Sequence, residues 1–308
     1  MLMMLMLGLA LAKDSAPAEA PPELPEIEQY LDDEDAFVSA LRAQDNRYDK
    51  RARLLLRRAA VREEAGDAAG TEALLEEAED LIETIHQAYR FGLCHFPNNA
   101  RLHNYHGELI SDWLGGGREA VLAWRRALAE DPDLPSAQAN LGMHYCSTGN
   151  VKMGLPLLED AIKAEKDNAD FYYNLSNVYV LEADRVQEVR GWSPKKLYKQ
   201  LMRASIKAVD RAPHDFAIRQ NYAVNFFAAT EFEVDIDWGN AAAAWQEARP
   251  YADNLDDLYY TWLNEGRAWI WAEGRAQAQR CIREALRIRP EAEDAQVVLR
   301  ELESGAEF

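Results

Sequence analysis

Basic residues are too few in this sequence to favour a nucleic-acid partner. It has 34 Lys and Arg against 53 Asp and Glu, which gives a formal net charge of −19. DNA and RNA are repelled by such a charge unless basic residues collect on one face. The densest basic run, 49–62, spaces its Leu and Ala residues as a helix does, which favours a solvated helix face over a phosphate-binding patch. We therefore expect no nucleic-acid partner.

Cysteine is also scarce, and its spacing does not suggest a metal or disulfide framework. Cys94, Cys146 and Cys281 lie far apart, and no CxxC occurs. Because all three fall in helical patterns, we expect small buried thiols. His103 and His106 share one helical face, but zinc needs three or four converging ligands. No metal site is predicted.

The short motifs that mark many enzymes are missing. The run 113–120, WLGGGREA, has three glycines but lacks the Lys-Ser/Thr pair and the preceding strand of a phosphate loop. No G-x-S-x-G or H-E-x-x-H motif occurs. Helix-forming residues dominate, and alternating runs of Val, Ile and Thr are rare, so we expect an all-α protein. We predict no enzymatic activity and no cofactor.

The first 12 residues form an apolar stretch, too short for a bilayer span of about 20 residues. Its length and the sequence Ala10-Leu11-Ala12 match a signal peptide, although no basic residue precedes Lys13. We expect export to the periplasm, the cell envelope or the medium; the alternative is a cytoplasmic protein with a misread start. Residues 13–35 are rich in Pro, Ala and acid, which predicts a disordered, solvated tether.

A pattern of Asn, a large residue, a small residue and an aromatic residue recurs along the chain, first after 34 residues. Its copies are Asn140, Leu141, Gly142 and Tyr145; Asn174, Leu175, Ser176 and Tyr179; Asn221, Tyr222, Ala223 and Phe226; and Asn264, Glu265, Gly266 and Trp269. An earlier copy lacks the Asn but keeps Gly107 and Ile110. A second pattern of small, large, small and Pro residues follows, as in Ala120, Trp124, Ala127 and Pro132, and in Ala278, Ile282, Ala285 and Pro290. Small residues let two helices approach closely, large ones fill the gap, and Pro ends the second helix.

This double pattern resembles the tetratricopeptide repeat (TPR). The resemblance covers 100–290 and implies an all-α, right-handed superhelical solenoid of antiparallel helix pairs, with about five repeats. Residues 36–99 are then a divergent N-terminal helix pair that caps the stack, and 291–308 a C-terminal capping helix and tail. Insertions fall near 182–194 and 230–240.

The first insertion carries helix signals of its own. We expect the preceding helix to run past Val180 and break near Gly191. A new helix should then begin with Ser193 as its N-cap and Pro194 as its first residue.

In this repeat family the first helices line a concave wall that holds peptide segments of partner proteins. The residues expected on that wall here are Asn104, Glu108, Met143, Tyr173, Asn177, Gln220, Phe227, Tyr260, Arg267 and Trp271. Ala139, Cys146 and Val224 should face the same way. Alternatively, Tyr173, Phe227 and Trp271 pack between successive repeats.

The resemblance implies a non-enzymatic interaction or scaffold module that binds a polypeptide partner in its groove, in the cell envelope. Two alternatives stay open: an intracellular scaffold, or an envelope enzyme that uses the solenoid to deliver its substrate.

Overall fold

The computed structural model describes residues 27–304. Within that range the chain forms helices and no strand, and it divides into two compact units between His144 and Tyr145. The signal-peptide-like segment 1–12 lies outside the described residues, as do 13–26 and 305–308. We refer to 27–144 as the N-terminal unit and to 145–304 as the C-terminal unit.

The N-terminal unit opens with a 3₁₀ turn, Ile27–Tyr30, and continues with four complete helices and most of a fifth. These are α1 (Glu34–Glu64), α2 (Ala68–His95), α3 (Ala100–Trp113), α4 (Gly117–Glu130) and α5 (Pro135–Ser147). The helix pair expected in 36–99 corresponds to α1 and α2. The prediction of a disordered tether through residue 35 is wrong at its C-terminal end, because Tyr30 and Leu31 pack against the core of this unit.

Polar side chains begin the helices of the N-terminal unit. The Asp33 carboxylate accepts a hydrogen bond from the Ala36 amide, and the Asn99 side chain accepts one from Leu102. Each supplies a partner for an amide that has none inside the helix. The core between α1 and α2 is built from large apolar residues, among them Phe37, Leu55 and Ile85.

Gly107 confirms the small–large pairing predicted for the repeats. A Cβ atom at Gly107 would lie 2.6 Å from Nε1 of Trp124, which is itself 3% exposed. Only a residue without a side chain lets α3 approach α4 this closely.

The C-terminal unit continues with nine α-helices and two short 3₁₀ turns, Phe227–Ala229 and Arg249–Tyr251. The helices are α6 (Val151–Ala164), α7 (Ala169–Leu181), α8 (Ala183–Arg190), α9 (Pro194–Arg211), α10 (Phe216–Asn225), α11 (Trp238–Ala248), α12 (Leu255–Trp271), α13 (Arg275–Ile288) and α14 (Glu293–Ser304). The pairs are α7 with α9, α10 with α11, and α12 with α13. Helix α14 packs on α13 at the end expected to carry a capping helix.

Both insertions are built into the C-terminal unit. The Ser193 side chain accepts a hydrogen bond from the Lys196 amide, Pro194 begins α9, and Gly191 has a φ of 60°, so the predicted break and N-cap are confirmed. The preceding helix ends at Leu181, however, instead of running on. The interruption at Glu182 starts the separate helix α8, whose Val186 is fully buried.

Cysteine burial follows the prediction at two of three positions. Cys146 and Cys281 are buried, but Cys94 is exposed. The reason is helical register: Gly92 faces the core, where a Cβ atom would meet Phe37, and Cys94 lies two residues on, about 200° around α2. Among residues 27–304, no helix is both long enough and apolar enough to cross a lipid bilayer.

Candidate binding surface

Asn104 and Glu108 belong to a hydrogen-bonded network inside the N-terminal unit. The Asn104 amide donates to Glu108 Oε1 over 2.9 Å, and the Asn140 amide donates to both Asn104 Oδ1 (3.0 Å) and Glu108 Oε1 (2.8 Å). Arg42 donates to the other oxygen of Glu108 over 2.7 Å. Asn104 is fully buried, so the expectation that it faces outward is wrong. Its side chain donates to Glu108 and accepts from Asn140, so these polar groups inside the unit are hydrogen-bonded.

Further groups extend this network towards α2. Arg42 also pairs with Asp45 over 2.8 Å, and the Tyr89 hydroxyl donates to Asp45 over 2.7 Å. Burial lowers the pKa of Arg42, but Glu108, Tyr89 and Asp45 raise it by more, so the guanidinium stays charged. Burial raises the pKa of Asp45, against the opposing effects of Tyr89 and Arg42. The charges of this cluster are satisfied internally, which leaves Glu108 poorly suited to bind a partner.

Other positions expected on the wall are also inside the protein. Ala139 is 2% exposed and Cys146 is fully buried, so both expectations of an outward side chain are wrong. Each lies about one helical turn from the predicted contact residue Gly142, which is buried too. Met143 is half-buried.

A polar row joins the first helices α7 and α10 in the C-terminal unit. The Asn221 amide donates to Asn177 Oδ1 over 2.7 Å, and Asn221 Oδ1 accepts from Ser176 and from Asn225. Asn225 also donates to Ser205 on α9 over 2.9 Å. These bonds fix the register of α7 against α10, because each amide bridges two helices or two turns.

Three of the residues expected on the wall are half-buried on these two helices: Tyr173, Asn177 and Gln220. The amide nitrogen of Asn177 and the whole side chain of Gln220 make no hydrogen bond with another described residue. Both therefore present hydrogen-bonding groups that an added polypeptide backbone can use.

An aromatic cluster lies where α10, α11 and α12 meet. The ring of Trp238 lies 5.9 Å from Phe227 and stacks on Trp271, with centroids 5.1 Å apart and an interplanar angle of 25°. Trp271 is 56% exposed, and Phe227 and Trp238 are partly buried. The structure thus brings together two predicted residues, but through Trp238, which the repeat pattern did not indicate. The one local sequence feature at Trp238 is that it directly follows Asp237, the N-cap of α11, which marks it as the first residue of a helix.

Tyr260 and Arg267 are occupied by contacts with the C-terminal helices. Arg267 donates to Asn264 over 3.1 Å and lies 3.6 Å from Asp294 on α14. Tyr260 packs against the ring of Tyr259, with centroids 5.3 Å apart. Arg267 thus connects α12 to α14, and Tyr260 packs against the apolar core of α12, α13 and α14, so both contribute less to any open surface than the aromatic cluster.

Two potentially reactive side chains, Cys146 and His106, are held in unreactive states. Burial raises the pKa of Cys146 to about 12, which keeps the thiol protonated at neutral pH. Burial, with the neighbouring His86, lowers the pKa of His106 to about 4, which keeps that imidazole neutral. Within 27–304, no group of three or more His, Cys, Asp and Glu side chains is placed to hold a metal ion.

Comparisons with known proteins bear on the fold alone. A scan against protein-family models found no match, and a search of curated proteins found none. Solved structures do match. YrrB, described as a TPR protein with an unusual peptide-binding site, is 18% identical, with a TM-score of 0.51, and the match covers 70% of this chain and 99% of that one.

Two further solved structures give the same result. PilF of Pseudomonas aeruginosa is 14% identical, with a TM-score of 0.52, over 82% of this chain and 99% of that one. The C-terminal part of a TPR repeat-containing protein of Cytophaga hutchinsonii is 14% identical, with a TM-score of 0.51, and the match covers 89% of this chain and 98% of that one. The predicted all-α fold of TPR-like helix pairs is confirmed.

Proposed function

We propose that the chain is a non-enzymatic interaction module that binds a polypeptide segment on the first helices of its C-terminal unit. The observation that carries the proposal is the aromatic cluster of Phe227, Trp238 and Trp271, whose outermost ring is 56% exposed. Exposed tryptophans of this kind are typical anchors at protein interfaces, because they bury a large area with little loss of side-chain freedom.

The half-buried amides on α7 and α10 complement that anchor. The amide nitrogen of Asn177 and the side chain of Gln220 have no hydrogen-bond partner among the described residues, and a bound backbone needs such groups. An apolar anchor with a row of amides suits a polypeptide ligand better than a small metabolite, which would need an enclosed pocket. YrrB, whose fold is similar, is described as having a peptide-binding site, and this favours the same class of ligand.

Export of the protein is a further part of the proposal. It rests on the apolar residues 1–12 and the sequence Ala10-Leu11-Ala12, which lie outside the described residues. N-terminal sequencing of the native protein should begin at or near Lys13. Recovery of intact Met1 from a soluble cytoplasmic fraction would instead favour the intracellular alternative.

Affinity capture with matched variants tests the binding surface. The full chain, immobilised, is exposed to native extract, and bound polypeptides are identified by mass spectrometry for the wild type, Trp271→Ala and Trp192→Ala. Trp192 lies within the first insertion, outside the aromatic cluster, where it packs on Tyr179, and it serves as the tryptophan control. We expect the same partner with the wild type and the control, and at least about a tenfold lower yield with Trp271→Ala. Equal yields from both variants would refute the assignment of this surface.

A further inference from the structure

Helix α9 carries two parallel rows of side chains with a spacing of four residues. The first row, which we term the basic ridge, consists of Lys195, Lys199, Arg203 and Lys207. The second, the apolar ridge, consists of Tyr198, Met202 and Ile206. Residues four apart form continuous ridges on a helix, so the two rows run side by side along α9. Met202 packs partly against the core of α10 and α11, but Ile206 is 44% exposed, so packing against neighbouring helices accounts for only part of the apolar ridge.

The second insertion forms a wall beside these ridges. Phe232 is buried and packs on Tyr198, with ring centroids 6.0 Å apart, and the Val234 amide donates to Ala229 over 2.9 Å. Val234 and the two ridges line a cavity of about 600 Å³. A second cavity, of about 460 Å³, shares the apolar ridge and extends to α10 and α11. Because the two cavities share Tyr198, Met202 and Ile206, they lie next to each other along α9, and we refer to them together as the groove.

Tyr198 gives an independent indication that the groove takes a ligand. It is 7% exposed and lines both cavities, and its hydroxyl has no hydrogen-bond partner among the described residues. A buried hydroxyl without a partner costs free energy, and such groups are uncommon in folded proteins. Burial raises its pKa to about 12, so at neutral pH the hydroxyl carries its proton and can donate it in a hydrogen bond.

The charge of α9 is opposite to that of the protein. Lys and Arg occupy six of its positions and Asp210 is its one acidic residue, in a chain of net charge −19. Lys195, Lys199 and Arg203 are exposed, and none forms an ion pair with another described residue. Basic side chains that the protein's own acids leave unpaired create a local attraction for an acidic ligand.

We propose that α9 and residues 230–237 of the second insertion form a docking groove for an acidic amphipathic helix of a partner protein, separate from the surface on the first helices. The ridges span residues 195–207, about 18 Å, which matches a partner helix of about 12 residues. The partner's apolar face contacts the apolar ridge, its carboxylates pair with the basic ridge, and the Tyr198 hydroxyl donates to one of its oxygens. Asp237 and Glu247, on the opposite side of the smaller cavity, repel those carboxylates and so set the partner's orientation.

A random library of peptides of about 16 residues, displayed on phage, tests the proposal against the full-length protein. Selection is run on the wild type, on Lys199→Glu/Arg203→Glu, and on Lys152→Glu/Lys166→Glu. The last pair are exposed lysines elsewhere in the C-terminal unit, so the control has the same change in net charge. We expect enriched peptides with apolar residues three and four apart flanked by Asp or Glu. Enrichment should persist with the control and disappear with the ridge variant.

A synthetic copy of the most enriched peptide then gives affinities by fluorescence anisotropy. We expect Ile206→Ser and the ridge variant each to weaken binding at least about tenfold, and added salt to weaken wild-type binding. Absence of enrichment, peptides without acidic excess, or equal enrichment on the ridge variant would overturn the proposal. The proposal would also be overturned if the basic ridge bound phosphatidylglycerol vesicles or a poly-dT oligonucleotide but did not bind peptides. If the ridge variant loses peptide binding in the groove but still captures the partner that depends on Trp271, the groove and the surface on the first helices are separate sites.

Discussion

The long helix pair of the N-terminal unit packs differently from the repeat pairs of the C-terminal unit. In the N-terminal unit, α1 and α2 are 31 and 28 residues long and enclose a core of Leu, Ile, Phe and Tyr side chains. In the C-terminal unit, the buried positions of α11 are Ala241, Ala242, Ala244 and Ala248 around a fully buried Trp245. Small residues around one large residue let helices approach closely, and this is the packing that the repeat pattern encodes. The long pair fills its core mainly with large side chains, with Gly92 against Phe37 as a close approach, which accounts for its divergent sequence.

Each unit also contains an arginine paired with a carboxylate from another helix, but at different depths. In the C-terminal unit, Arg249 pairs with Glu265; their side chains are 15% and 3% exposed, and the guanidinium lies over the ring of Trp262. In the N-terminal unit, Arg42 and Glu108 are 33% and 22% exposed. A deeply buried pair is costly to break, because the remaining charge stays in a medium of low polarity.

The largest effect is expected from Arg249→Met. Burial lowers the pKa of Arg249 to about 10, so the side chain is charged at neutral pH. Its loss leaves Glu265 buried with Trp269 as its only donor among residues 27–304. We expect the free energy of unfolding in guanidinium to fall by about 3–5 kcal/mol. Arg42→Met, in the more exposed pair, should cost about 1–2 kcal/mol. Equal losses for the two variants would contradict the difference in depth.

A smaller effect is expected where glycine permits close packing. A Cβ atom at Gly266 would lie 2.7 Å from Cδ1 of the fully buried Ile282, and one at Gly107 would lie 2.6 Å from Trp124. Gly→Ala at either site should lower the free energy of unfolding by about 1–3 kcal/mol, despite a gain in helix propensity of up to about 1 kcal/mol. Gly117→Ala is the control, since its Cβ atom would meet His144 at an ordinary 3.5 Å. Stabilisation by Gly266→Ala would show that the helices tolerate a wider separation.

The stability of the N-terminal unit should depend on pH through the imidazole of His106. Burial and His86 lower the pKa of His106 to about 4 from its ordinary 6.5, so the unfolded chain binds this proton at a higher pH than the folded one. Its stabilising effect is therefore present above pH 6.5 and is lost as the pH falls towards 4. Between pH 7 and pH 5 we expect a loss of about 1–2 kcal/mol in the free energy of unfolding.

Variants assign that loss to one imidazole. His106→Leu should remove most of the pH dependence between pH 7 and pH 5. His95→Gln, at an exposed position on α2, should leave it unchanged. An unaltered pH profile in His106→Leu would show that another group is responsible.

The sequence indicated the local features of the fold more reliably than the site. Gly107 with Trp124, and Ser193 with the Lys196 amide, were predictable because each depends on spacing along the chain. The burial of Asn104 was not, since it depends on a network that includes Arg42, far away in sequence.

The aromatic cluster and the groove on α9 depend on the second insertion, which follows no repeat. Trp238 joins Phe227 to Trp271 only because the insertion ends at that helix, and Phe232 reaches Tyr198 only because the same segment folds against α9. An insertion carries no periodic pattern, so its contacts could not be predicted from spacing.

The smallest effect on stability is expected from Trp271→Ala, and it tests whether the aromatic cluster is a surface or part of the core. Trp271 is 56% exposed and stacks on Trp238, and such a stacked pair contributes about 0.5–1.5 kcal/mol beyond its buried area. We expect the free energy of unfolding to fall by about 1 kcal/mol. Trp245→Ala sets the scale for a fully buried tryptophan of the same unit, at about 3–5 kcal/mol. If Trp271→Ala matched that larger loss, with capture per folded molecule unchanged, Trp271 would be a packing residue and the proposed binding surface would have no anchor.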